Sequence, residues 1–204
     1  MPLADFDGPL DWARDLDNRW PERLVLKTTI VDVITAEVAR SKRDTPKILE
    51  LGIGAGEVLE SLARALPRAA LAGIDLQPSL ITYVSGRVPG CSLFEHDLND
   101  DAWSDSVDAP FDFVYSLQSF HDLGGRKALE NVYRRIFEAL EPGGVIINVD
   151  FVEPQAHDDP ADPRRFPVDV HQDCLSRIGY VEFRCVRREG QLACMSARRA
   201  EGIA

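Results

Sequence analysis

The sequence predicts an α/β fold in which a doubly wound, mostly parallel sheet ends in an antiparallel strand. Five apolar runs predict buried strands: 47–51, 70–75, 91–96, 111–116 and 145–151. Their alternation with helical patterns is typical of right-handed βαβ units. Two more strand-like runs, 180–186 and 192–198, are separated only by 187–191. This is the length of a hairpin loop, so the last strand should run antiparallel to its neighbour.

The helices are predicted from apolar residues that recur at helical spacing. Five segments show this pattern: 22–40, 57–66, 79–87, 129–140 and 168–177. The first twenty residues show no steady period, and we expect them to wrap or cap the domain. Pro142-Gly143-Gly144 is predicted to end the helix before the fifth strand. The segment 152–167, rich in Pro, Asp and Ala, is expected to form a long surface loop.

Composition and charge argue against several classes of function. The formal net charge is -11 and the pI is near 4.8, so we expect no nucleic-acid partner, because phosphate backbones would be repelled. The acidic N-terminal residues leave no apolar core for a signal peptide, and no apolar run approaches the ~18 residues of a membrane span. The four cysteines form no C-x-x-C pattern. We therefore expect a cytoplasmic protein with no membrane partner.

The first predicted strand ends in three alternating glycines, Gly52, Gly54 and Gly56. Glycines permit a tight turn and a close approach of the backbone to a ligand. The following helix directs its N-terminal amides at the same loop. A nucleotide-like ligand is the expected occupant, and a tight turn without a ligand is the alternative.

The spacing of the glycines restricts the kind of nucleotide. A dinucleotide-binding turn needs a third small residue at position 57, where this chain has Glu57. No Gly-Lys-Ser or Gly-Lys-Thr follows, which excludes a phosphate-binding Walker A loop. An NAD-dependent oxidoreductase stays a disfavoured alternative.

With Glu50 leading, the pattern E-x-G-x-G-x-G resembles motif I of the class I S-adenosylmethionine-dependent methyltransferases. Leu140-Glu141-Pro142-Gly143-Gly144 is similar to the family's L-x-P-G-G turn into strand five. The resemblance implies a Rossmann-like seven-stranded sheet of order 3-2-1-4-5-7-6 over 47–199. It also implies a single domain, 1–204, in which 1–40 form an N-terminal arm and capping helix.

The same resemblance implies S-adenosylmethionine as the cofactor and assigns residues to it. In the family, an acid at the position of Asp75 holds the two ribose hydroxyls, and Leu76 follows it. Asp97 would accept a hydrogen bond from the adenine amino group, and Leu98 would touch the ring. Ser116 belongs to a stretch that lines the methyl-transfer end. The expected cofactor residues are Glu50, Gly52, Gly54, Gly56, Asp75, Leu76, Asp97, Leu98 and Ser116.

His121 is the candidate catalytic residue, either as a general base or as a residue that shapes the pocket. No metal site is expected, because strand four ends in Ser116 and Gln118 rather than in acids. Trp12, Trp20, Phe120 and Phe151 are candidate aromatic walls.

We expect a small organic acceptor with an O, N, S or C nucleophile. The lid over the acceptor would come from residues 1–30, the 152–167 loop or a second subunit of a homodimer. A protein methyltransferase and a non-catalytic S-adenosylmethionine-binding subunit are the alternatives.

Overall fold

The computed structural model of the chain describes residues 3–156, 158–161 and 163–201. Within them, seven strands form one sheet in the order β3-β2-β1-β4-β5-β7-β6. The strands are β1 (Lys47–Leu51), β2 (Ala70–Asp75), β3 (Ser92–Glu95), β4 (Phe111–Leu117), β5 (Leu140–Phe151), β6 (Tyr180–Glu189) and β7 (Leu192–Arg199).

The first five strands pair in parallel, and β7 pairs antiparallel with both β5 and β6. This order and these directions confirm the fold class predicted from the sequence. The carboxyl ends of β1, β2, β3, β4 and β5 therefore lie at one edge of the sheet, where ligands bind in open α/β folds.

Seven α-helices of the described residues surround the sheet: α1 (Pro9–Arg19), α2 (Glu22–Ser41), α3 (Glu57–Ala65), α4 (Pro78–Arg87), α5 (Trp103–Ser106), α6 (Arg126–Ala139) and α7 (Val168–Ile178). Two apolar clusters hold these layers together. In one, residues of α6 and α7 pack with strand residues such as Leu49 and Ile146. In the other, residues of α2, α3 and α4 pack with Ile48 and Ile147. Alternate strand residues thus face opposite layers, as a sheet covered on both faces requires.

The N-terminal segment differs from the sequence prediction, because Pro9–Arg19 form a helix where we found no steady period. Pro9 occupies the first turn, where its missing amide costs nothing. Only Ala13 of this helix is buried. A helix is recognised in a sequence by a stripe of apolar residues that face the core. Because α1 has almost no such stripe, its sequence gave little sign of a helix.

The start of β5 and the terminal hairpin also differ from the predicted bounds. Pro142-Gly143-Gly144 lie inside β5, which begins at Leu140 rather than at Val145. Leu140 pairs with Phe111 before a register shift, so the irregular segment is a bulge within the strand. The hairpin connection is shorter than predicted, because β6 extends to Glu189 and β7 begins at Leu192.

Within the described residues, no helix combines the length and the apolar character that a membrane crossing needs. The 152–167 loop contains neither helix nor strand where it is described. His157 lies outside the described residues.

Candidate active site

A cavity of about 680 Å³ opens at the carboxyl edge of the sheet. This volume lies in the range of pockets that hold small molecules and cofactors. Its floor comes from the loops after β1, β2, β3, β4 and β5, and its roof comes from α1 and α2. The cavity therefore lies where the parallel strands end.

The glycine loop after β1 follows a path that side chains would obstruct. Gly52, Gly54 and Gly56 have φ values of 75°, 52° and 73°, all in the left-handed region. A Cβ at Gly52 would collide with the Ser119 side chain, and one at Gly56 would lie 2.8 Å from Val84 Cγ2. All three glycines line the cavity, and α3 starts directly after them. The loop is thus a backbone surface that a ligand can approach closely.

Asp75 lies at the end of β2 with its carboxylate fixed beside the glycine loop. Oδ2 accepts a hydrogen bond from the Gly54 amide at 3.2 Å, and Oδ1 accepts one from the Gln77 amide at 2.9 Å. Burial raises the pKa of the Asp75 carboxyl, while these amides act in the opposite direction. A carboxylate offers about four lone pairs, so both oxygens can accept further hydrogen bonds from a ligand.

Glu50 is a buried acid beneath the loop. Its Oε2 accepts a hydrogen bond from the Tyr115 hydroxyl at 2.9 Å, and its side chain reaches the cavity lining. Burial raises the pKa of Glu50 well above its ordinary value, since an ionised carboxylate is poorly solvated there. Glu50 is therefore poised to become ionised when a cationic group lies beside it.

The remaining residues expected at the cofactor divide into two groups. Leu76, Asp97 and Leu98 line the cavity, and Leu76 is 57% exposed, although it is apolar. Ser116 is fully buried and does not line the cavity. Its hydroxyl donates to the Leu51 carbonyl at 2.9 Å across the neighbouring strand. The structure therefore places Ser116 in the sheet, and we leave it out of the proposed site.

Asp17 joins the two roof helices over the cavity. It accepts hydrogen bonds from Arg23 Nε at 2.8 Å and from Lys27 Nζ at 2.7 Å. Lys27 also pairs with Glu57 at the start of α3. The three side chains of the Asp17–Arg23–Lys27 cluster are at most 14% exposed. Ion pairs between largely buried side chains thus hold the two roof helices together.

Gln118, directly after β4, connects the roof to the floor of the cavity. Its side-chain oxygen accepts a hydrogen bond from Arg23 Nη1, and its backbone φ of 55° is uncommon for a residue other than glycine. Its Nε2 is buried without a partner among the described residues. Strained residues with unsatisfied polar groups concentrate at functional sites, which makes Gln118 a candidate site residue. It lies in the same stretch as Ser116, which the resemblance assigns to the methyl-transfer end, but it was not among the expected cofactor residues.

His121 lies at the other end of the cavity and is held by Asp150 at the end of β5. Its Nδ1 is 2.7 Å from Asp150 Oδ1, and its backbone amide donates to Asp150 Oδ2 at 3.1 Å. Burial lowers the pKa of His121, but the Asp150 and Asp122 carboxylates together outweigh this effect and the net shift is upward. Burial would likewise raise the pKa of Asp150, yet His121 shifts it downward. The two groups therefore stabilise each other's charged forms.

Aromatic side chains surround this end of the cavity. Phe151 packs edge to face against Trp20, with ring centroids 5.3 Å apart, and against His121, with centroids 5.0 Å apart. Trp12 lines the cavity as well, but at the other end, close to Gly54. Phe120 does not line it, because its ring is buried against Tyr133. Three of the four candidate aromatic walls are thus in place.

Arg165 brings the 152–167 loop to the same end. Its guanidinium lies 5.0 Å from the centre of the Phe151 ring and pairs with Asp158. No group of three or more His, Cys, Asp and Glu side chains is arranged to hold a metal ion within residues 3–156, 158–161 and 163–201. The expectation that no metal is used stays a prediction.

Comparisons with known proteins agree with this geometry. Residues 48–144 match the family described as "Methyltransferase domain". A trans-aconitate 2-methyltransferase from Paracidovorax citrulli (strain AAC00-1) is 31% identical over 99 residues, which are 48% of this chain and 36% of that protein. The chain spans less than half the length of the trans-aconitate 2-methyltransferases that it matches.

Two solved structures have similar folds. One is SAM-bound CalS10, an amino pentose methyltransferase from Micromonospora echinaspora. It superposes with a TM-score of 0.65 at 18% identity, and the match covers 84% of this chain and 91% of the CalS10 chain. The sugar N-methyltransferase KedS8 from Streptoalloteichus sp ATCC 53650 gives a TM-score of 0.66 at 18% identity, with coverage of 84% and 87%. At this level of identity the likeness concerns the fold.

Proposed function

We propose that this chain is a class I S-adenosylmethionine-dependent methyltransferase that transfers a methyl group to a nucleophilic atom of a small organic acceptor. The observation that carries the proposal is the division of one cavity into two ends. The glycine loop and Asp75 occupy one end, and His121, Trp20 and Phe151 occupy the other.

We assign the first end to S-adenosylmethionine. Asp75 would hold the ribose hydroxyls, Asp97 the adenine amino group, and the apolar Leu76 and Leu98 the adenine ring. The backbone of Gly52, Gly54 and Gly56 would face the amino-acid tail, with Glu50 near its ammonium group. The charge of the lining supports this assignment, because acids are common in it and the cofactor carries two cationic groups.

When bound, S-adenosylmethionine supplies a sulfonium-activated methyl group that needs no nucleophile from the protein. The tasks left to this chain are to align the acceptor with the methyl carbon and to exclude water. Trp20, Phe151 and the roof helices α1 and α2 would do both. The cover that α1 and α2 provide over the cavity also supports a small acceptor over a protein acceptor, which would need an open groove.

A non-catalytic subunit that only binds S-adenosylmethionine is the second candidate. It would need the cofactor end of the cavity but not the polar, aromatic-walled end beside it. The ordered His121–Asp150 contact therefore favours an enzyme.

The test is transfer of labelled methyl groups from S-adenosylmethionine to a metabolite extract. We expect labelled small products with the parent protein and much less with Asp75→Ala. Label that appears only on protein would support a protein methyltransferase. Cofactor binding without transfer to any acceptor would support the non-catalytic subunit.

A further inference from the structure

We propose that His121 and Asp150 form a proton-accepting pair, and that the acceptor consequently carries a neutral O–H or N–H group rather than a carboxylate. This inference rests on the proposed function and deepens it. It assigns Asp150 as a positioning residue and names the chemical class of the acceptor.

The first support is the way Asp150 fixes the imidazole. Both of its oxygens are used by His121, one by the ring and one by the backbone amide. Asp150 Oδ1 also accepts a hydrogen bond from the Phe151 amide at 2.8 Å. Since an ionised carboxylate only accepts hydrogen bonds, Nδ1 must carry a proton. In the neutral ring, Nε2 is then left with its lone pair.

The second support is the position of Nε2. His121 lines the cavity, and Nε2 lies on the side of the ring away from Asp150. The mostly exposed Asp122 carboxylate lies 3.6 Å from Nε2. Phe151 holds the ring edge to face, which restricts its rotation. A proton acceptor is thus presented beside the aromatic walls.

The third support is the charge balance of the cavity. Each basic side chain found in its lining is already paired with a carboxylate: Arg19 with Asp15, Arg23 with Asp17, Lys27 with Asp17 and Glu57, and Arg165 with Asp158. A carboxylate acceptor would enter a site whose cations are compensated and whose edge carries Asp122. A neutral acceptor does not meet this repulsion.

These positions account for every bond and proton in the methyl transfer. A lone pair on the acceptor oxygen or nitrogen forms the bond to the methyl carbon, while the carbon–sulfur bond breaks and its electron pair remains on sulfur. The proton of the acceptor passes to Nε2 of His121, and Asp150 stabilises the imidazolium that results. A carboxylate acceptor would bring no proton and would leave this pair without a task.

The pH dependence follows from the groups that face His121. Asp150 from β5 and Asp122 from its own turn raise the pKa of the imidazole, whereas burial and Arg165 from the 152–167 loop lower it. The net shift is upward, so the base form predominates only above a pKa higher than the ordinary 6.5. Transfer should therefore rise with pH through that raised pKa and be lost as pH falls.

The experiment compares the parent protein with His121→Asn, Asp150→Asn and the control Asp105→Asn, whose exposed acid lies outside the cavity. Methyl-labelled S-adenosylmethionine and a metabolite extract are the substrates. Asparagine at 121 keeps a donor toward Asp150 but has no proton acceptor. We expect both site variants to bind S-adenosylmethionine within about threefold of the parent and to lose about 100-fold in transfer rate, because general bases contribute about 10²–10⁴-fold.

The chemical class of the product gives an independent readout. Labelled methyl esters release volatile methanol in alkali, whereas methyl ethers and methylamines do not. We expect alkali-stable label and a rate that increases with pH in the parent and in Asp105→Asn. Alkali-labile label, a rate that increases as pH falls, or unchanged transfer by Asp150→Asn would overturn the inference.

These outcomes are distinguishable from failure of the proposed function. In that case, the parent protein itself would transfer no label while binding the cofactor. Histidine ring NMR of the parent and of His121→Asn reports the pair without any acceptor. A His121 ring protonated on Nδ1, with a pKa above 6.5 that drops in Asp150→Asn, is the expected result, and protonation on Nε2 would contradict the pair.

Discussion

Gly56 occupies a position where a side chain has no room, because its φ is 73° and an added Cβ would lie 2.8 Å from Val84 Cγ2. We expect Gly56→Ala to lower the free energy of unfolding by about 2 kcal/mol or more, from left-handed strain and overpacking together. Urea denaturation measures this. Gly86→Ala in α4 is the matched control, since an added Cβ there meets nothing within 4 Å. It should stabilise the helix by about 0.5–1 kcal/mol. Equal effects of the two changes would contradict this account of the loop.

Because Glu50 is buried with a raised pKa, we expect the stability of the folded protein to depend on pH. In the unfolded chain its carboxyl releases its proton near pH 4.5, whereas the buried carboxyl retains it to a much higher pH. The folded protein should therefore lose stability as pH rises above the unfolded pKa, by at most about 1.4 kcal/mol per pH unit from this group. Glu50→Gln removes the ionisation, so its stability relative to the parent should increase between pH 5 and pH 8.

Urea denaturation at both pH values gives the comparison, with exposed Glu95→Gln as the control. A difference between Glu50→Gln and the parent that stays constant with pH would show that Glu50 is already ionised in the folded protein.

Several residues that line the cavity were predictable, because the motif fixes their order along the chain and places each at a strand end. Asp75, Asp97 and Leu98 accordingly line the cavity. Ser116 does not line the cavity as expected. A shift of one residue along a strand is enough to turn a side chain away from the cavity and into the packed sheet. Arg165 gave no signal, because its position depends on how an irregular loop folds back. Asp150 lies near the end of β5, and its contact with His121 spans 29 positions of sequence, so no local pattern indicates it.

The roof formed by α1 and α2 depends on the charged cluster around Asp17. Asp17→Asn would leave Arg23 and Lys27 with less compensating charge in a partly desolvated place. We expect a loss of about 1–3 kcal/mol in the free energy of unfolding and faster hydrogen exchange in residues 9–19. Asp15→Asn is the control, because its pair with Arg19 is about one-third exposed on both sides. That change should cost less than about 0.5 kcal/mol. Equal hydrogen-exchange rates of residues 9–19 in Asp17→Asn and Asp15→Asn would contradict this role of Asp17.

At the scale of elements, the sequence predicted strands and long helices well, because their apolar residues face a core. It missed α1, whose interactions are ion pairs and cavity contacts rather than buried apolar packing. It also misplaced the start of β5, because Pro142-Gly143-Gly144 is the ordinary signal for a turn. Here the same residues form a bulge, and a Cβ at Gly144 would lie 3.2 Å from the Asp112 carbonyl.

For the whole molecule, the strand order was predictable from the resemblance together with the terminal hairpin. The contact between the roof helices and the floor of the cavity was not predictable, because it depends on contacts between distant parts of the chain. Arg23 and Gln118 are 95 positions apart, yet a hydrogen bond between them joins α2 to the segment after β4 at the cavity. Which loops meet above a sheet is decided by the packing of whole elements, and neither residue carries a local sign of its partner.

The central claim, that this cavity binds S-adenosylmethionine through the glycine loop and Asp75, is tested most directly by calorimetric titration. We predict that the parent protein and Asp105→Ala bind S-adenosylmethionine with equal affinity and do not bind NAD. Asp75→Ala should bind it about 10- to 100-fold more weakly, because charge-assisted hydrogen bonds are lost. Unchanged affinity in Asp75→Ala, or binding of NAD in place of S-adenosylmethionine, would contradict the account.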